Sequence, residues 1–103
     1  MTLLLLAALT GCYSKDEYLV DYNTSTCEWY DSCGFLPTLG YDSVDECIDE
    51  RNRVDELDEQ EGIETCAEYD EANARTCIED LDARTCEDLE DDFSAACEAT
   101  CAE

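Results

Sequence analysis

The sequence predicts a small all-α, disulfide-rich fold: short helices and loops stapled by about four disulfides. Two observations carry this expectation. Cysteine occurs nine times in 103 residues, while the large apolar residues are few: Trp29, two phenylalanines, six tyrosines and scattered Leu, Ile and Val. A core of that size supplies only about 3–5 kcal/mol, so cross-links have to supply the rest. The second observation is local. Ser or Asp residues stand at helix-start spacing ahead of apolar positions that step by three and four.

From the amino terminus, Leu3 to Leu9 is an unbroken apolar run. At about 1.5 Å per residue it makes a helix of roughly 10 Å, a third of a bilayer core of about 30 Å, which is too short to span. Leu9-Thr10-Gly11-Cys12 closes the run. This stretch resembles the lipobox that ends the signal of bacterial lipoproteins, where a leucine and two small residues precede a cysteine. Only Met1 and Thr2 come before the run, so the usual basic opening of such a signal is missing. The resemblance implies a signal peptide over 1–11, with Cys12 lipidated and becoming the first residue after cleavage. It places the protein in the bacterial cell envelope, anchored in the membrane through the lipid on Cys12. Tyr13 and Ser14 follow without an acidic residue, which suits the outer membrane or the periplasmic face.

Setting Cys12 aside leaves Cys27, Cys33, Cys47, Cys66, Cys77, Cys86, Cys97 and Cys101, an even set in an oxidising compartment. Each bridge contributes about 2–4 kcal/mol by restricting the unfolded chain. The spacing selects no pairing.

Residues 12–24, the amino terminus that the resemblance lipidates at Cys12, carry Lys15, Asp16, Glu17 and Asp21 with little apolar period and read as a flexible tether, with Tyr18, Leu19, Val20 and Tyr22 as the alternative, a short strand or docking segment. A single acidic, cysteine-rich domain is expected over 25–103. Ser25-Thr26-Cys27-Glu28 has the form of a capping box, predicting a short helix over about 26–33 that ends at Gly34. Phe35 to Gly40 reads as a loop around Pro37. Ser43-Val44-Asp45-Glu46 is a second capping box, behind which Val44, Cys47, Ile48, Arg51, Val54 and Leu57 give an amphipathic helix over roughly 44–58. The acidic run Asp55–Glu61 opposes the helix dipole there and predicts fraying. Asp70 predicts a helix near 71–82, Thr85 a short helical turn, and Ser94 a last helix over 95–101. One short similarity recurs: Ala74-Arg75-Thr76-Cys77 returns as Ala83-Arg84-Thr85-Cys86, too brief for a repeat architecture.

Twenty-nine acids against five basic residues give a net charge of −24. Such a surface repels nucleic acid and anionic headgroups; it reads first as a solvated acidic coat that keeps a small exported domain soluble, and second as attracting cations or an envelope protein with a basic surface. The sequence contains no histidine and no Cys-x-x-Cys pair, which removes the usual general base, a thioredoxin-like site and a zinc ribbon. No phosphate loop or nucleophile elbow is present. A non-enzymatic interaction or structural module, without cofactor, is the reading that remains. The alternative is a calcium-binding lipoprotein using Asp55–Glu61 and Glu87–Asp92. Neither run fits an EF-hand loop, because Gly62 at the glycine position puts Leu57 where the first ligand belongs. The acidic background and the cysteine rhythm from Cys66 to Cys101 also resemble small cysteine-rich lipoproteins of myxobacteria and their relatives, a likeness that implies no activity.

Overall fold

Ser14 starts the first helix among the described residues. Its Oγ accepts the Glu17 N–H at 3.1 Å, and the Glu17 carboxylate accepts the Ser14 N–H at 3.1 Å. This reciprocal capping box opens helix α1, Lys15–Ser32. The structure is a computed structural model that describes residues 12–62, 66–88 and 94–102. The expected signal, 1–11, lies outside the described residues.

Helix α1 corrects two expectations. Residues 15–24 are not a flexible tether but the first half of the longest helix, and Tyr18 in this stretch is buried. Ser25 is not a cap either: it sits inside α1, and its hydroxyl donates to Asp82 Oδ1 at 2.8 Å. The helix closes at Cys33, where Gly34 takes φ of 74°.

The expected loop at 35–40 contains one helical turn, α2 (Leu36–Leu39), with Pro37 near its start and Gly40 left-handed at φ 91° behind it. Helix α3 (Val44–Gln60) is capped by Ser43, whose Oγ accepts the Glu46 N–H. It runs through the acidic stretch instead of fraying at 58. The Glu61 and Gly62 N–H groups donate to the Leu57 and Glu59 carbonyls, and this closure holds the last turn against the unfavourable charge. Asp70 caps α4 (Glu71–Asp82) and Ser94 caps α5 (Ala95–Thr100), both as expected. Residues 85–88 form a turn and not a helix: the Asp88 carboxylate accepts the Thr85 N–H at 2.7 Å. A two-residue antiparallel ladder, β1 (Glu68–Tyr69) with β2 (Cys101–Ala102), pairs Tyr69 with Cys101.

Helix α1 packs against α3 and α4, and α4 against α5. Two small cores result. Trp29, Tyr30, Leu36 and the Cys27–Cys47 bridge fill one, with Tyr41, Val44 and Ile48 around it. Tyr18, Ala74, Leu81 and Cys77 fill the other, with Tyr22, Tyr69 and Ile78 alongside. The fold is small, all-α and disulfide-rich. Among the described residues no helix is long and apolar enough to cross a membrane.

Candidate functional site

The eight paired cysteines form four bridges: Cys27–Cys47, Cys33–Cys86, Cys66–Cys101 and Cys77–Cys97. Each links segments that lie apart in sequence. Cys27–Cys47 joins α1 to α3, Cys77–Cys97 joins α4 to α5, and Cys66–Cys101 closes the strand pair. Cys33–Cys86 ties the end of α1 to the turn after α4. Cys97 and Cys101, one helical turn apart, therefore serve different partners. Among the described residues Cys12 is the one free cysteine, and it is exposed.

The backbone beside Cys12 is held. The Tyr69 hydroxyl donates to the Tyr13 carbonyl at 2.6 Å, and the Tyr13 hydroxyl donates to Asp21 Oδ2 at 2.6 Å. The Arg75 guanidinium lies 5.3 Å from the Tyr13 ring centre. Burial, helped by the Asp21 carboxylate, pushes the Tyr13 phenol well above its ordinary pKa. Burial pushes Tyr18 up to about 12 and also raises Tyr69, with the Glu71 charge adding to the latter. The Tyr18 hydroxyl lies 3.4 Å from Cys77 Sγ and donates to it, since a bridged sulfur carries no proton.

A second cluster lies at the far end of α1. Trp29, Tyr30, Phe35, Leu39, Cys86 and Asp88 line a pocket of about 320 Å³. Phe35 meets Trp29 edge-on, centroids 5.4 Å apart, and Tyr30 lies 5.6 Å from the same ring. Trp29 is held: its Nε1 donates to the Thr85 carbonyl at 2.7 Å, and Arg84 stacks on it at 3.9 Å. The two similar segments thus act alike, each placing its arginine over an aromatic ring of the α1 region: Arg75 on Tyr13, and Arg84 on Trp29. Phe35 and Leu39 remain 38% and 49% exposed on the pocket rim. In the sequence Phe35 and Leu39 fall within an expected loop. Their signal is a run of Phe, Leu, Pro and Leu bracketed by Gly34 and Gly40, a short turn that has to leave apolar side chains outside.

Among the described residues no three Asp, Glu or Cys side chains converge as a metal-holding group. The acids of the first run are carried along α3, and most of the second run, 89–92, lies outside the described residues. Compared with known proteins, the chain matches no protein family, no curated protein and no solved structure.

Proposed function

We propose that this chain is a bacterial envelope lipoprotein, anchored through lipid on Cys12, whose domain is a non-catalytic module that docks a partner with a basic surface. The observation that carries the reading is the position of Cys12. Among the described residues it alone stays outside the bridges, exposed, at the end of the apolar Leu3–Leu9 run. Acyl chains there bury about 0.8 kcal/mol per CH₂, and two or more chains anchor stably. The net charge of −24 supports attraction of a basic partner, and the lack of histidine and of a phosphate loop supports a non-catalytic role.

The held amino terminus adds an orientation. With Tyr13 bonded to Tyr69 and Asp21, a lipid on Cys12 brings the start of α1 directly to the membrane surface. The far end of α1 lies roughly 27 Å from that start.

Growing cells with a clickable fatty acid tests the anchor. The wild-type protein is expected to take the label and fractionate with membranes, and Cys12→Ala to do neither. Equal labelling of the two rejects the reading.

A further inference from the structure

We propose that the aromatic pocket at the far end of α1 is the docking site itself, and that it takes an apolar side chain flanked by lysine or arginine on a partner protein. This deepens the interaction reading above and rests on it. The pocket walls are apolar and open: Phe35 and Leu39 stand half in solvent over the buried Trp29 and Tyr30. Neither lysine nor arginine lines it, and the one carboxylate that does is that of Asp88. Asp31 and Glu87 are exposed and next in chain to wall residues Tyr30 and Cys86. An apolar floor with the Asp88 carboxylate at the pocket, in a domain of strongly negative charge, fits an apolar anchor between cationic neighbours, because burial supplies affinity while charge supplies encounter rate and selectivity.

The pocket is also built to keep its shape. The Cys27–Cys47 bridge shares a buried cluster with the wall residues Trp29 and Tyr30, Cys33–Cys86 fixes one wall, and Thr85 and Arg84 hold the indole. Preorganised walls lower the ordering cost of docking. Two other occupants fit poorly. A second copy of the chain brings another net charge of −24, which opposes association. An anionic lipid surface is opposed by the Asp88 carboxylate at the pocket and by the net charge of −24, and Trp29 lies about 20 Å along α1 from Lys15 at the end of α1 away from Cys12.

Trp29 is the single tryptophan, so its fluorescence reports this pocket alone. The oxidised full chain is used to select displayed random heptapeptides, and the enriched peptides are then synthesised and titrated against Trp29 emission. The expected result is peptides that combine Leu, Ile, Phe or Met with neighbouring Lys or Arg. Replacing the apolar residue by Ala, or the protein's Leu39→Ser or Phe35→Ala, is expected to weaken binding about tenfold or more. Val54→Ser, at a comparably exposed site on α3, is expected to leave binding unchanged and to control for general loss of apolar surface. Basic peptides without an apolar residue, bound equally by Leu39→Ser and Phe35→Ala, overturn the pocket and leave attraction by charge alone. Failure to enrich any basic peptide overturns both the pocket and the interaction reading.

Discussion

Trp29 and Thr85 are joined by a 2.7 Å hydrogen bond from the indole Nε1 to the backbone carbonyl, across 56 residues of sequence. This contact, the Arg84 stack and the Cys33–Cys86 bridge attach the 83–88 turn to α1 in three ways. Trp29→Phe keeps an aromatic ring and removes the donor. The Thr85 carbonyl belongs to an exposed residue and regains water, so the loss is expected to be about 1–2 kcal/mol in urea unfolding. A loss well under half a kcal/mol would mean that the bridge and the Arg84 stack position the turn without this bond.

The caps at Ser43, Asp70 and Ser94 are legible because each side chain accepts a free N–H of the helix it precedes, and Ser94 does so while its hydroxyl also donates to Asp80 Oδ2 at 2.9 Å. Ser25 stands inside α1, where it caps nothing, and its hydroxyl donates to the Asp82 carboxylate on a helix distant in sequence, which no local pattern reveals. Helix α1 hides from periodicity for the same reason: its buried face includes Asn23, Ser25 and Thr26, and polar side chains that bond or pack across an interface leave no apolar stripe. Its true cap, Ser14 with Glu17, carries the same signature as the false one at Ser25 and Glu28. Bridge connectivity is illegible because it follows from which helices meet. The aromatic pocket is illegible because Trp29 and Cys86 meet only through the fold.

Selective reduction should follow exposure. Cys86 is exposed on a turn, whereas Cys27 and Cys47 are fully buried. Thiol exchange requires access to a sulfur. Timed treatment of the native protein with a dithiol, followed by alkylation and mass mapping, is expected to open Cys33–Cys86 first and Cys27–Cys47 last. The reverse order would contradict the burial pattern.

The stability contributions of these two bridges should run against loop length. Closing 53 residues rather than 20 favours Cys33–Cys86 in the unfolded-chain term, about 4 against about 3 kcal/mol. Replacing both buried cysteines of Cys27–Cys47 by alanine also leaves two voids in the core, at roughly 1 kcal/mol each. The Cys27→Ala/Cys47→Ala variant is therefore expected to be the less stable by about 1 kcal/mol. Chemical denaturation of the two double variants makes the comparison.

Alkaline pH should loosen the core that contains Tyr18. Tyr13, Tyr18 and Tyr69 are all raised in the folded protein, with Tyr18 pushed up to about 12 chiefly by burial. An unfolded tyrosine titrates near ~10. Between these values the unfolded chain has lost protons that the folded protein keeps, so stability falls as pH rises. The contribution is complete below about 10 and disappears as pH climbs through the folded values. Ultraviolet titration is expected to show a delayed group of phenols, and Tyr18→Phe to flatten the decline in urea midpoint. A midpoint independent of pH across this window would refute the assignment.

Asn23 holds α1 to α3 through a polar junction, and its replacement separates hydrogen bonding from charge. Its amide donates to Asn52 Oδ1 at 2.8 Å and to Asp55 Oδ2 at 2.9 Å, while its carbonyl accepts from Arg51 Nε at 3.1 Å. All three partners lie on α3, and Asn23 itself is buried. Asn23→Ala strands partly buried partners and is expected to cost about 1–3 kcal/mol. Asn23→Asp nearly preserves the shape, removes both donors and sets a carboxylate against Asp55. At neutral pH it should be at least as damaging, with Arg51 offsetting part of the repulsion. The decisive difference lies in acid: protonation of the introduced carboxyl restores one donor and removes the like-charge contact. The stability gap between Asn23→Asp and wild type is therefore expected to narrow below about pH 4, while the gap for Asn23→Ala stays constant. Parallel shifts for the two variants would show that packing, and not the amide's two donated bonds, is what Asn23 contributes.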